Sequence, residues 1–127
     1  MTIQIKRRVA DILLLIGIMP SLDGYNYIIY GVCCCVENPV LIKRMTRVLY
    51  PKIAQEFDRT PSQVERSIRT ALESGWNSGK FLRLNDIFCV NVIDSKDKEK
   101  LRNCEFIALL ADRLLFQLAE ESGENCV

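Results

Sequence analysis

Residues 53–73 read IAQEFDRTPSQVERSIRTALE, and this stretch has the pattern of two short helices joined by a tight turn. Apolar residues recur at helical spacing on both sides of the turn, which predicts two helices with one buried face each. Thr60 suits the N-cap of the second helix, Pro61 suits its first position, and Gln63 completes a capping box. Asp58 stands where this motif often has glycine, and aspartate tolerates the left-handed conformation better than most residues. The stretch therefore predicts a helix-turn-helix.

The second helix, predicted over residues 61–76, carries polar side chains opposite its apolar stripe. In a major groove, an arginine fork matches the O6 and N7 acceptors of guanine, and a glutamate accepts from cytosine N4. The alternative is a solvated face with a Glu65–Arg69 pair at i, i+4, worth only ~0.3–0.5 kcal/mol. The preceding helix and turn favour DNA contact over that alternative. The residues on this face are Ser62, Glu65, Arg66, Arg69 and Glu73.

Length and composition fit one all-α domain. The 127 residues can bury a core without disulfides or metals, about half are apolar, and glycine and proline are few. The net charge is +1, but residues 43–69 hold seven basic and three acidic side chains, whereas residues 94–124 hold eight acidic and five basic ones. The basic segment, residues 43–69, overlaps the second helix of the motif, which we call the reading helix. A phosphate-binding surface requires positive charge at this place.

The chain has six cysteines and no histidine. Cys33, Cys34 and Cys35 are consecutive, so on a helix they point in three directions, and no C-x-x-C pair exists. We expect no metal site and no cofactor, and reduced cysteines that act as small apolar residues in a cytoplasmic protein. Cys126 is expected to be exposed. Without a phosphate-binding loop, a dinucleotide fingerprint or a histidine to activate a nucleophile, nothing nominates a catalytic residue, and we expect no enzyme.

The N-terminal segment imitates a signal peptide, because a basic cluster precedes an apolar run. Asp11 interrupts that run, no cleavage site follows, and the run is too short to span a bilayer. We therefore predict a helix with an apolar stripe over residues 5–16 that ends at Gly17, and no membrane association.

The remaining elements follow from local start and stop signals. A second helix begins at Ser21 or Asp23 and runs through Cys35, and Gly31 in it suggests close packing against a neighbour. Asn38 and Pro39 cap a short helix over residues 40–45. The first motif helix begins near Thr46 or, with Pro51 in its first turn, at residues 48–50.

After the reading helix, Gly75 and Trp76 are expected to close a turn, and a short helix follows over residues 84–88. Residues 94–102 read as a solvated loop. Asn103 is expected to cap a last helix ending at Glu121. The apolar stripe of this helix is either core or a dimer surface, and it contains Phe106, Ile107, Leu110, Leu114 and Leu118.

Four segments in order resemble a known family: IGIMPSLDGYNYIIYGV, TRVLYPKIAQEF, TPSQVERSIRTALESGW and NCEFIALLADRL. The family is the C-terminal DNA-binding effector domain of the sporulation response regulator, the stage-zero sporulation protein A. The resemblance covers residues 9–115 and implies a compact six-helix domain that reads a short promoter box, commonly as a tandem homodimer. It also implies contact with the sigma subunit of RNA polymerase near residues 80–88. The family's base-contacting glutamate and two arginines fall on Glu65, Arg66 and Arg69.

The chain also departs from the family pattern. Gln63 stands where a basic residue is common and Thr70 where histidine is common, so both changes remove side chains that could contact phosphate through a positive charge. We expect a single effector-like domain over residues 1–127 without the receiver domain of full-length members. Control by phosphorylation would then be absent or supplied by a partner.

Two functions follow from the sequence. The first is a sequence-specific DNA-binding transcription regulator that reads the major groove of double-stranded DNA. The second is a protein-interaction module of the same fold with little DNA affinity, pairing with a full-length relative. Under the first, Glu65, Arg66 and Arg69 contact bases, and the phosphate contacts come from Arg47, Lys52, Thr60, Ser62 and Gln63.

Overall fold

The computed structural model describes residues 2–94 and 101–123, which form helices and short connections without a strand. The predicted all-α fold of six helices is confirmed. Of the predicted loop over residues 94–102, residues 95–100 lie outside the described residues, as does Cys126. The helices are α1 Thr2–Leu15, α2 Asp23–Glu37, α3 Tyr50–Phe57, α4 Pro61–Asn77, α5 Arg83–Phe88 and α6 Asn103–Ser122.

The first helix ends as its sequence predicts. Gly17 has a φ of 90°, in the left-handed region that favours glycine, and Ile18 donates its backbone N–H back to the Leu13 carbonyl at 2.8 Å. The predicted apolar stripe of α1 is buried: Ile5, Val9, Ile12, Leu13 and Ile16.

The second helix is the centre of the molecule, because it packs against α1, α3, α4 and α6. With neighbours on several sides, consecutive residues of α2 are buried whichever way they point, and residues 31–36 are all buried. This explains the three consecutive cysteines, since a surrounded helix needs small apolar side chains in every direction. Gly31 allows the close approach expected of it, because a Cβ there would lie 3.1 Å from Cδ1 of Ile53.

The connection between α2 and α3 differs from the prediction. The helix expected over residues 40–45 is instead a 3₁₀ turn, Pro39–Lys43, in which Arg44 N–H donates to the Leu41 carbonyl. The Asn38 side chain makes no capping bond; its backbone N–H donates to the Cys34 carbonyl and extends the end of α2. A π-helical turn, Met45–Leu49, then leads into α3, with Pro51 in its first turn as expected.

The end of α4 was also predicted incorrectly. Gly75 and Trp76 do not close a turn but continue the helix to Asn77, and the turn contains Gly79 at a φ of 77°. Gly75 is needed for packing, because a Cβ there would lie 3.0 Å from the Ile16 carbonyl oxygen. A glycine that permits close packing was therefore mistaken for one that ends a helix.

The last helix, α6, contributes to the core. Its apolar stripe is buried, except that Leu118 is half-buried, so the core interpretation holds over that of a free dimer surface. Arg102, not Asn103, occupies the position before the helix, and its backbone N–H donates to Glu105 at 3.1 Å. At the other end, Arg8 of α1 pairs with Glu121 at 2.6 Å.

Candidate nucleic-acid interface

The turn between α3 and α4 has the geometry that the sequence predicts. Asp58 is left-handed, with φ 55° and ψ 54°, and the next N–H, that of Arg59, donates to the Ala54 carbonyl at 2.8 Å. The capping box is complete: Gln63 N–H donates to Thr60 Oγ1 at 3.2 Å, and Thr60 N–H donates to Gln63 Oε1 at 2.9 Å. These bonds fix where α4 begins and how it leaves the turn.

Packing fixes which face of α4 points outward. Its inward residues are buried against the core, and α2 supports it closely because Gly24 has no side chain. A Cβ on Gly24 would collide with the Ser67 carbonyl oxygen, so any larger residue would push α4 away from α2. The sequence did not single out Gly24 because its role depends on a contact 43 positions along the chain. The buried residues of α4 are Val64, Ile68, Ala71, Leu72 and Gly75.

Arg66 lies opposite this buried face. Its side chain is exposed and makes no ion pair within residues 2–94 and 101–123. Ser62, Thr70 and Glu73 are exposed on the same side of the helix. The centre of the outward face therefore offers an arginine fork whose donors are available to an incoming acceptor.

Glu65 and Arg69 lie at the edge of this face and pair with each other. Arg69 Nη2 is 3.0 Å from Glu65 Oε1, and the two side chains are 58% and 46% exposed. At that exposure solvent screens the pair, so separating the two charges costs little. Both side chains line a cavity of about 400 Å³ between α4 and the start of α6, with Trp76 and Phe81 on its wall.

Asn103 joins α6 to the reading helix beneath this pair. Its side-chain N–H donates to the backbone carbonyl of Glu65 at 2.8 Å, and the residue is only 9% exposed. The Tyr50 hydroxyl lies beside Asn103; burial raises the pKa of Tyr50 to about 12, and the Asn103 amide opposes that rise. Asn103 is thus a tertiary tether and not the cap that local sequence suggested.

The predicted phosphate-contacting residues fall in separate places. Thr60, Ser62 and Gln63 are exposed together at the start of α4. The capping box uses Gln63 Oε1 as an acceptor, which leaves the amide N–H₂ of Gln63 and the hydroxyl hydrogen of Thr60 as donors. These three residues remain suited to contact a phosphate.

The two other phosphate candidates lie before α4 in the chain. Arg47 is exposed in the π-helical turn, where it shares a surface groove with Lys43 and Arg44. Lys52 is exposed on α3, near Cys34 of α2. There, burial raises the pKa of the Cys34 thiol and the charge of Lys52 opposes the rise.

A second set of polar residues, which the sequence did not connect, meets beside α4. A cavity of about 200 Å³ between the first turn of α2 and the first half of α4 brings together residues far apart in sequence. Local periodicity cannot reveal such a cavity, because α2 and α4 meet only after folding. The residues that line it are Asp23, Tyr27, Arg59, Gln63, Arg66 and Ser67.

The structure has no sign of other chemistry within residues 2–94 and 101–123. No three side chains of the types that bind metals lie together there. None of the helices in these two ranges is both long enough and apolar enough to cross a bilayer. The cysteines among them are free thiols.

A comparison with protein families agrees with this geometry. The family model described as Sporulation initiation factor Spo0A C terminal matches residues 9–114, which is most of the chain and contains α2 through α5 and the α6 stripe as far as Leu114. The family consists of DNA-binding effector domains of the sporulation regulator and is not a family of enzymes. The chain therefore belongs to the Spo0A C-terminal family.

Proposed function

We propose that this protein is a sequence-specific DNA-binding transcription regulator that inserts α4 into the major groove of double-stranded DNA. The observation that carries the proposal is Arg66, an exposed arginine that lies at the centre of the outward face of a capped helix and makes no ion pair with any described residue. Arg69 and Glu65 extend the contact along the same groove. The family match supports a DNA-binding domain, and the outward face nominates the three side chains.

Phosphate contacts flank the reading helix in this proposal. Thr60, Ser62 and Gln63 bind one strand at the start of α4, and Arg47 reaches the backbone from the π-helical turn. Lys52 contributes through its charge from an exposed position on α3. These contacts set the register of the protein on the duplex and carry no base information.

The most direct test replaces Arg66 with alanine. Losing the fork should cost about 1–3 kcal/mol of binding free energy and relax the preference at one base position. Arg47→Ala should instead weaken binding to all sequences alike, because it removes a phosphate contact. Gel-shift titrations on a specific and a scrambled duplex measure both effects. An Arg66→Ala variant that binds as tightly and selectively as the parent would refute the proposal.

Partners beyond DNA are part of the proposal. A second copy on a tandem site and the sigma subunit of RNA polymerase are the partners that the family suggests. The sigma contact would involve residues 80–88, where Leu82 is 41% exposed and Arg83 donates to the Leu15 carbonyl at 3.0 Å. Acting on promoters requires access to chromosomal DNA, consistent with the expected cytoplasmic location.

A second candidate function is a protein-interaction module that pairs with a full-length relative. Exposed apolar side chains that do not belong to α4 favour it: Leu15 at the end of α1, Leu82 ahead of α5 and Phe116 on α6. Under this function, affinity for duplex DNA stays at the non-specific level for every sequence. Size-exclusion chromatography separates the two candidates, because a monomer mass that is unchanged after mixing with the relative contradicts the interaction module.

A further inference from the structure

We infer that the cavity between α2 and α4 is a binding site for one phosphate of the DNA backbone, with the Tyr27 hydroxyl at its floor. This inference rests on the proposed function, because it needs α4 to lie against a duplex. It adds residues that the proposed reading surface does not contain, namely Tyr27 and Arg59. The site would hold the strand beside the base that Arg66 reads.

Tyr27 supplies the first observation. The residue is 4% exposed, and its ring packs on Phe57 with the ring centroids 4.9 Å apart. Its hydroxyl has no hydrogen-bond partner among the described residues. No side-chain polar atom in these residues is both sealed from solvent and unpaired, so the hydroxyl keeps some access to solvent, and Tyr27 lines the cavity. A buried tyrosine normally has a hydrogen-bond partner for this group, and an acceptor oxygen of a ligand in the cavity would supply one.

The charges and donors around the cavity supply the second observation. Arg59 and Arg66 bring two guanidinium groups, whereas Asp23 is the one acidic residue of the lining. Gln63 and Ser67 add neutral donors, and the Gln63 carbonyl oxygen is already occupied by Thr60 N–H. A lining dominated by donors and cations selects an anion with several acceptor oxygens.

The position of the cavity identifies the anion as backbone phosphate. It adjoins the first two turns of α4, and in helix-turn-helix complexes the strand runs past the start of the reading helix. Arg59 now donates to the Asp58 carbonyl at 3.3 Å, a long and exposed bond that a phosphate oxygen can replace. Arg59 thereby supplies a positive charge next to Gln63, where the family often has a basic residue.

Two variants test the site. Tyr27→Phe removes one hydroxyl and keeps the ring on Phe57, and its affinity for duplex DNA should fall roughly tenfold, as for a lost hydrogen bond to a charged group. Arg59→Gln should also weaken binding and reduce the slope of log affinity against log salt by about 1. Both effects should appear equally on specific and random duplexes. Asp23→Asn should have the opposite effect and tighten binding.

Tyr30→Phe is the matched control, because Tyr30 also packs on Phe57 but does not line the cavity. It should leave DNA affinity unchanged. Duplexes with single methylphosphonate substitutions then locate the contact. At one substituted position, the parent should bind the modified duplex more weakly than the unmodified one. Tyr27→Phe and Arg59→Gln should bind these two duplexes with nearly the same affinity, because both variants already lack the contact to that phosphate.

The outcomes separate this inference from the proposed function. If the parent selects a sequence but Tyr27→Phe and Arg59→Gln match it at every salt concentration, the phosphate site is wrong and base reading stands. If the parent binds all duplexes alike, base reading fails, and the two variants still test the phosphate site on random DNA. A parent that binds no duplex overturns both.

Discussion

Two arginines on the outward face of α4 differ in what they must give up to contact DNA. Arg66 makes no ion pair within the described residues, so its fork is ready for an acceptor. Arg69 is paired with Glu65 at 3.0 Å and, under the proposed function, exchanges that carboxylate for a guanine acceptor. Because the pair is exposed, the exchange costs at most about 1 kcal/mol. In the proposed complex, Glu65 therefore holds Arg69 until a base acceptor replaces the carboxylate.

Replacing Glu65 with glutamine tests this relationship. The variant should bind random duplexes more tightly, because Arg69 is released and a negative charge is gone. It should discriminate less between bases, and its free energy of unfolding should change by less than about 0.5 kcal/mol. Glu73→Gln is the control, since it removes an equal charge from the same helix. Equal gains in both variants with unchanged base preference would contradict the account.

At single residues, the sequence predicted what depends on neighbours a few positions away. The left-handed Asp58 and the reciprocal bonds of Thr60 and Gln63 are local, and both were predicted correctly. Tyr27 and Arg59 were missed because their meeting requires α2 to lie against α4. The sequence placed Arg66 and Arg69 on one face but could not reveal that, among the described residues, Arg69 has an ion-pair partner and Arg66 has none.

Among the helices, α6 holds α4 in place through one buried amide. Asn103→Ala should remove the bond to the Glu65 carbonyl and a polar neighbour of the Tyr50 hydroxyl, lowering the free energy of unfolding by about 1–3 kcal/mol. Urea titrations followed by Trp76 fluorescence measure this. Asn91→Ala, at an exposed position, should change little. Equal stability of the two variants would show that the tether contributes nothing.

Element ends were predicted well where a single signal acts and poorly where two compete. Pro61 and Thr60 mark the start of α4 without ambiguity. Gly75 looked like a stop because glycine is a poor helix former, but α4 continues through it since the Ile16 carbonyl needs the space. Asn103 looked like a cap, yet its side chain turns to another helix. At both positions the tertiary contacts decide where the helix begins or ends, and the periodicity of the sequence carries no information about those contacts.

The molecule as a whole is built around α2, and its buried thiols make stability depend on alkaline pH. Burial raises the pKa of Cys33 to about 11 and that of Cys35 to about 12, from an ordinary value of 9.0. As pH rises, the unfolded chain therefore loses these thiol protons at a lower pH than the folded protein does. Their contribution to stability is present below pH 9 and is lost as pH rises toward the folded-state values.

Urea unfolding between pH 7 and pH 11 should accordingly show a falling free energy of unfolding above pH 9. A variant with alanine at Cys33 and Cys35 should show a shallower fall, whereas Cys89→Ser should not, because Cys89 is exposed. An identical pH dependence in all three proteins would mean that the buried thiols are not its source.

The charge of the whole molecule also limits how it binds DNA. With a net charge of +1, non-specific attraction is weak, and the basic residues are concentrated in residues 43–69. Under the proposed function, affinity therefore comes from well-placed contacts around α4, and the proposed second copy on a tandem site adds to it. Selectivity at moderate salt is the property that this arrangement favours.

The central claim is that α4 reads bases through Arg66, and selection of duplexes from a random pool tests it most directly. The parent should enrich a short box, and Arg66→Ala should enrich the same box with one position relaxed. Arg113→Ala, which removes an arginine from α6, should enrich the unchanged box. A parent that enriches no box, or an Arg66→Ala variant that enriches the full box, would contradict the account.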